Sequence, residues 1–370
     1  MPTTKLNNSL DFSSQKFYVG LDVHKTSWTV TVRTLGLEVE HFHQPASVQA
    51  LVSHVQRRFP RGKFFSAYEA GFCGTWIHRE LSDLGINNIV VSPADIPTTD
   101  KEKKNKTDVH DSRSIARSLE KGILHGIYIH SREQELLRSL FRLRQTKVRD
   151  VTRAVNRLKG FLNYFGVEYS TILSEDTPTV GITGRMIVAL SKLKMGTEAG
   201  DMTLGALLEN LTGQRSRLLE ITRRLKAQVL EAYSASYNHL LSVPGIGSIT
   251  AMGLLAEIGD FSRFDDPGEY CSFLGLIPWQ DSSGETIRTK GLQPRCNTRL
   301  RPLLVEASWQ AIRKSPELLL YYRRHAVRNN KQAIIKVARK LALIAKGVVL
   351  RNQNYQPGFN KIVAREKVEN

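Results

Sequence analysis

The sequence predicts an α/β domain built on a mixed sheet, followed by a mainly helical region. Three observations carry that reading. Over the first 130 residues, short runs rich in β-branched and aromatic residues alternate with segments of helical spacing, the pattern of strands and helices taken in turn. From residue 131 on, apolar residues recur almost only at helical spacing. One stretch, 275–294, breaks that helical run and is rich in turn-forming Gly and Pro.

Residues 17–23 and 27–33 read as strands joined by a short turn, and a third strand includes 39–43. Helical spacing follows at 47–59, with Val48, Leu51, Val52 and Val55 on one face, and Pro60-Arg61-Gly62 stops it. Residues 63–69 form a fourth strand, 75–84 a helix closed by Gly85, and 88–92 a fifth strand closed by Pro93. A Lys/Asp-rich segment leads into a helix over 107–121. The order β-β-β-α-β-α-β-α describes a mixed sheet with helices on it, the RNase H-like arrangement.

Residues 132–159 read as one basic amphipathic helix, with nine Lys/Arg against three acids, Glu133, Glu135 and Asp150. No clear period runs through 160–203. Over 204–233 the residues Leu207, Leu208, Leu211, Leu218, Ile221, Leu225 and Val229 return to helical spacing. That helix can pair as a coiled coil with the earlier one or with a second subunit. Further helices fall at 248–258, 298–315 and 330–351, and 313–351 holds eleven Lys/Arg and one acid, Glu317. The chain thus divides into a loose polar leader (1–16), a sheet domain (17–130), a helical coiled-coil region (131–238), a third domain (239–355) and a tail (356–370).

Charge narrows the partner. Across 370 residues, Lys+Arg 53 against Asp+Glu 35 gives a net charge of +18. Each cation placed on a phosphate releases a condensed counterion, so this balance points to nucleic acid. A membrane is not indicated, since no apolar run approaches the ~20 residues of a spanning helix and the start does not read as a signal peptide. Cys73, Cys271 and Cys296 are far apart and odd in number, which fits neither a disulfide framework nor a zinc site. They point to a reducing, cytoplasmic setting.

Four acids then stand out. Asp22 ends the first strand, in Gly20-Leu21-Asp22-Val23-His24-Lys25, and Glu69 ends the fourth, in Tyr68-Glu69-Ala70-Gly71. Asp108 and Asp111 open a helix, in Lys106-Thr107-Asp108-Val109-His110-Asp111, where i, i+3 spacing puts both on one face. Acids are common at strand ends and favoured in a first helical turn, so each alone carries little. Together, two strand ends and one helical face can converge at a sheet edge. Clustered carboxylates repel unless cations sit among them, and oxygen donors of this kind suit Mg2+ or Mn2+. Such ions serve phosphodiester chemistry. Lys104, Lys106 and Arg113 beside them are either solvated ion pairs or contacts to a phosphate backbone.

Two further motifs follow. Val243-Pro244-Gly245-Ile246-Gly247 precedes a helix. The Gly245 and Gly247 amides can face a phosphate at that helix N-terminus, as in a helix-hairpin-helix element, or the motif is simply a tight interhelical turn. Farther on, Gly275-Leu276-Ile277-Pro278 leads to Ser282-Ser283-Gly284, which reads as a surface loop. No Gly-x-Ser-x-Gly elbow is present, so a hydrolase triad is unsupported. Arg299 and Arg301 downstream are phosphate contacts or ordinary exposed arginines. On residues alone, the acids also suit a hydrolytic nuclease or junction resolvase with no covalent intermediate, and the charge suits a non-catalytic nucleic-acid scaffold.

In this order, the motifs resemble those of the DEDD-type insertion-sequence transposases of the IS110 family, the bridge-RNA-guided serine recombinases, over about residues 18–350. The resemblance implies a RuvC-like domain whose Asp-Glu-Asp-Asp set, here Asp22, Glu69, Asp108 and Asp111, binds Mg2+. It implies a C-terminal transposase domain with a serine nucleophile five residues past the proline of Gly-Leu-x-Pro, here Ser283, with Ser282 adjacent. The implied reaction is strand cleavage and exchange through a phosphoserine link. The implied partners are donor and target DNA, a structured guide RNA that pairs with both, and further copies of the chain, as a dimer assembling to a tetramer.

Overall fold

In a computed structural model the chain forms two compact units, one up to Ile129 and one from His130 onward. Residues 11–97, 108–170, 172, 181–283 and 286–358 are described, the side chains of 108–110, 280–283 and 286–290 excepted.

The first unit runs β1 (Lys16–Val23), β2 (Ser27–Thr34), β3 (Leu37–Pro45), α1 (Val48–Arg58), β4 (Lys63–Glu69), α2 (Trp76–Asp83), β5 (Asn87–Val91) and α3 (Asp108–Glu120). Strand order is β3-β2-β1-β4-β5. The three hairpin-linked strands are antiparallel, and β1, β4 and β5 are parallel. This mixed five-stranded sheet is consistent with an RNase H-like domain. The β2–β3 turn uses Leu35 (φ 51°) and Gly36 (φ 81°), the paired positive φ values that match strand twist in a two-residue hairpin.

Alternation along the strands builds two different faces. Phe17, Val19, Leu21, Val30, Phe64, Tyr68 and Val90 pack against Val48, Leu51, Val52 and Val55 of α1 and Ile77 and Leu81 of α2. The opposite face, under α3, carries smaller and more polar residues, among them Gly20, Thr31 and Ala67. The segment read as a loose leader is packed where it is described: Phe12 sits edge-on against Phe17 and Phe59, and its amide donates to the Pro60 carbonyl at 3.2 Å.

The second unit comprises α4 (Arg132–Tyr164), α5 (Gly184–Leu190), α6 (Glu198–Ser242), α7 (Ser248–Ile258), α8 (Pro267–Phe273), β6 (Pro278–Ser283), β7 (Thr286–Leu292), α9 (Leu300–Lys314), α10 (Pro316–Ala326) and α11 (Asn330–Leu350). Helices α4 and α6 run antiparallel: Leu158 and Leu162 meet Leu204, Leu208 and Leu211 at one end, and Leu137 and Phe141 join Leu225 and Val229 toward the other. Helix α6 bends at Tyr233 (φ −141°, ψ 35°). The Tyr233 hydroxyl donates to Gln134 Oε1 at 2.6 Å, and Gln134 Nε2 donates to the Leu255 and Ala256 carbonyls at 2.8 and 2.7 Å. One buried amide thereby ties α4, the bend and the end of α7 together. Helix α7, buried from Thr250 through Ile258, is the centre of a core that α9 and α11 complete. The stretch read as turns holds instead the antiparallel β6–β7 hairpin. Among the described residues no helix is long and apolar enough to cross a membrane.

Candidate active site

The sheet edge that carries the acids is built by a close helix approach. A Cβ on Gly20 would strike the Ser112 carbonyl and lie 2.5 Å from the Ala116 nitrogen, so only glycine lets α3 lie this near β1. Asp22, two residues on, has its side chain on the same face. In the parallel neighbour, Leu21 is level with Tyr68, and Ala67 faces α3 through Ile115, so Glu69 shares that face as well. Register along the helix sets its direction. Glu120 accepts from Arg33 Nε at 2.8 Å, beside Tyr18, while Ser112 meets Thr31, beside Gly20. Moving toward Asp22 therefore moves toward the start of α3, where Asp111 and Asp108 stand. The sequence, through one glycine and two strand registers, brings the ends of β1 and β4 and the first turn of α3 to one edge.

The surroundings are polar. His24 Nε2 lies 3.2 Å from Asp22 Oδ2. Thr29, opposite Asp22, bonds His43 Nδ1 at 3.0 Å, and Thr31 bonds both Ser112 Oγ (2.9 Å) and His41 Nδ1 (3.0 Å). His41 is held below its ordinary pKa by burial, then by the Arg113 charge, with Glu38 opposing. Arg113 is an ion pair: it forks onto Glu38, with its terminal nitrogen 2.7 Å from Oε1. The donor set of carboxylate oxygens fits a hard divalent cation. Among the described residues no three His, Cys, Asp or Glu side chains are gathered as a metal cage. The Asp108 side chain lies outside those residues, as do Lys104 and Lys106.

In the second unit Ser283 is the last residue of β6, level with Thr286 across the hairpin. It belongs to a strand end and not to a loop as read from sequence. The two glycines of the 244–247 turn differ. Gly245 (φ 87°) packs on α9, where a Cβ would strike the Ala307 carbonyl and lie 2.6 Å from the Ala311 nitrogen; around Gly247, the N-cap of α7, a Cβ would meet nothing within 4 Å. Arg301 braces the hairpin base, donating to the Gly275 and Gln293 carbonyls at 3.4 and 3.3 Å. Arg299 donates to Gln145 Oε1 at 2.9 Å.

A cluster that sequence reading missed lies beside Arg299. Glu257, its side chain 0% exposed, receives both Nε and a terminal nitrogen of Arg142 at 2.7 Å and Asn297 Nδ2 at 2.9 Å. The available signal was a lone charged residue in the otherwise uncharged helix Ser248–Ile258, since a buried carboxylate requires a cationic partner.

A mixed sheet whose acid-bearing edge belongs to a strongly basic chain suits an enzyme that acts on nucleic-acid phosphodiesters; comparison with known proteins makes it a DNA transposase. Residues 19–166 match a family model for the DEDD domain of IS110 elements, described as Transposase, and residues 237–323 match one described as Transposase IS116/IS110/IS902 family. The chain is 28% identical over 356 residues to the y4rJ protein of Sinorhizobium fredii, covering 88% of this chain and 89% of that one. It is 26% identical over 304 residues to the transposase of insertion sequence element IS1111A from Coxiella burnetii, covering 77% and 78%. To the transposase of IS1533 from Leptospira borgpetersenii it is 26% identical over 309 residues, covering 80% and 85%. The chain belongs to the IS110 family of insertion-sequence transposases.

Proposed function

We propose that this transposase cleaves and exchanges DNA strands through a serine nucleophile, Ser283, aided by a divalent metal held at Asp22, Glu69, Asp108 and Asp111, at sites chosen by a guide RNA. The observation that carries the carboxylate half is the convergence of β1, β4 and the first turn of α3 on one edge. The serine half rests on the place of Ser283 in the family motif and on its position beside a hairpin turn. The two halves lie in different units of the chain, which suits a composite site assembled in a tetramer.

Bound at the acids, Mg2+ or Mn2+ supplies charge neutralisation for a phosphorane-like transition state. The Ser283 hydroxyl gives up its proton to solvent or a neighbouring base, and Oγ attacks phosphorus. The P–O3′ bond breaks, the departing oxygen takes a proton, and a phosphoserine keeps the bond energy. The 3′-hydroxyl of the exchanged strand then attacks the same phosphorus, loses its proton, and returns Ser283. Basic residues of α4 and of 313–351 bind DNA and RNA backbones.

Trapping decides between this reading and a junction resolvase that uses water. Mixing the protein with its element-end DNA and Mg2+, then denaturing, should leave a protein–DNA adduct that Ser283→Ala abolishes and Ser282→Ala spares; Asp22→Asn should suppress it as well. Cleavage without an adduct, or retained exchange in Ser283→Ala, sinks the serine assignment. For the guide, RNA copurifying from the host is sequenced, and recovery of no discrete species leaves a protein-only recombinase.

A further inference from the structure

The strand that ends in Glu69 leaves the sheet through a small, firmly held turn. Gly74 donates its amide to the Gly71 carbonyl at 3.2 Å, closing Gly71-Phe72-Cys73-Gly74 as a β-turn. Gly74 (φ 63°) supplies the left-handed conformation at the exit. Both ends are anchored. Before the turn, the Ala70 amide donates to the Val91 carbonyl of β5 at 2.7 Å. After it, the Gly74 carbonyl accepts from the hydroxyl of buried Tyr68 at 2.9 Å, and that hydroxyl accepts from the His78 amide of α2 at 3.3 Å. Ala70 and Cys73 pack down on the sheet core. Phe72, lying between them in sequence, is 73% exposed, while the other phenylalanines described in this unit are buried or half-buried.

A single exposed apolar side chain is ordinary on a protein surface. Here the backbone holds it in place, and a second accessible ring follows four residues on. Trp76, the first residue of α2, is 44% exposed, and its ring lies 6.2 Å from that of Trp28. Trp28 is opposite Val23, the residue after Asp22. The two aromatics thus belong to the end of the sheet that carries Asp22 and Glu69. Phe72 follows Glu69 by three residues, a span of no more than about 11 Å. That is about three base steps of duplex DNA. Lys25, exposed in the turn from β1 to β2, adds a cation at the same end. Aromatic rings with cations among them are what unpaired bases and their phosphates bind.

We infer that Phe72 stacks on an unpaired base of the DNA strand cut at this edge, within three positions of the scissile phosphate, and keeps that base out of the duplex. The inference rests on the proposed cleavage at the acids, but not on which nucleophile makes the cut. Phe72 touches substrate and takes no part in bond making. Its ring offsets the unstacking that frees the flanking backbone from helical geometry.

The test uses the full chain as purified from its host, with the RNA it carries, and two forms of the element-end DNA. One is fully paired; the other is mismatched over the base pairs flanking the cut. At saturating DNA, Phe72→Ala should cut the paired form about tenfold more slowly than the parent does, the loss of one stacked base. It should cut the mismatched form at the parent's rate to within about twofold, because the unpairing is supplied in advance. Phe72→Tyr, which keeps a ring, should cut both forms as the parent does. In the unaltered protein, 5-iodouracil placed beside the cut should crosslink on irradiation to the peptide holding Phe72, read by mass spectrometry. A Phe72→Ala protein with the parent's melting temperature that cuts paired DNA at the parent's rate overturns the inference. So does an equal loss on the two forms. Should the alanine variant fail to fold, the crosslink still decides, its absence from that peptide counting against the stack. Asp22→Asn should stop cleavage of both forms. Cleavage surviving there breaks the reading of the acids, whereas equal behaviour of Phe72→Ala on the two forms breaks this inference alone.

Discussion

Gly20 in the sheet unit and Gly245 in the helical unit solve the same steric problem. Each receives a helix so closely that a Cβ would strike a carbonyl: Ser112 with Ala116 one turn on for Gly20, Ala307 with Ala311 one turn on for Gly245. The difference is in the backbone, since Gly245 also has φ of 87° while Gly20 lies in a regular strand. The units share a second device, an arginine forked onto a glutamate. Arg113–Glu38 leaves 38% and 29% of the two side chains exposed, whereas in Arg142–Glu257 the carboxylate is 0% exposed. In the helical unit both devices are tied to the core and govern folding. In the sheet unit they join α3 to the strands, Gly20 on β1 and Glu38 on β3.

That contrast is broken most directly at Arg142. Arg142→Ala leaves Glu257 buried without its main partner, which costs about 3–5 kcal/mol. Denaturant unfolding followed by circular dichroism should show a loss of this size, and Glu257→Gln in the same background should return part of it. A loss under about 1 kcal/mol would mean that the buried fork behaves as its exposed counterpart does.

The glycines come next. Gly245→Ala combines a left-handed backbone, about 1–2 kcal/mol, with overpacking against α9, about 1–3 kcal/mol. Gly20→Ala has only the second cost, yet it pushes α3 away from β1 and so moves Asp111 relative to Asp22. The expected outcome is a smaller drop in stability than for Gly245→Ala, paired with near-complete loss of DNA cleavage. A folded Gly20→Ala protein that cleaves normally would show that close seating of α3 does not place the acids.

Much of this is legible in the sequence. Strands β1, β2 and β4 and helices α1 and α3 fall within two residues of their sequence-based bounds, because the strands are short runs of β-branched and aromatic residues and the helices repeat at helical spacing. Asp22 and Glu69 stand out because apolar strands run directly into them. The β6–β7 hairpin did not show, since Pro278, Gly284 and Gly291 imitate a run of turns. Nor did α10, because Ser315-Pro316 reads as the end of α9 while Ser315 in fact N-caps the next helix. The bend at Tyr233 depends on Gln134, ninety-nine residues away, and no local pattern encodes it. Ser283 is polar among polar neighbours, and only a family motif distinguishes it.

The smallest effect belongs to the exposed fork, and it is informative because it separates stability from electrostatics. Arg113→Ala should cost no more than about 1 kcal/mol, since a partly exposed pair gains little over hydration. Its second consequence is at His41, whose pKa lies below the ordinary 6.5 through burial first and the Arg113 charge second. A lowered histidine binds its proton less readily folded than unfolded, so it subtracts stability as pH falls below about 6.5. Removing Arg113 removes one of the two main causes while burial and the opposing Glu38 remain. The His41 ring should therefore titrate at higher pH in Arg113→Ala, read from its imidazole NMR signals, and the acid-side decline in stability should become shallower. An unmoved His41 titration would place that histidine beyond the reach of the fork and leave Arg113 a purely structural partner of Glu38.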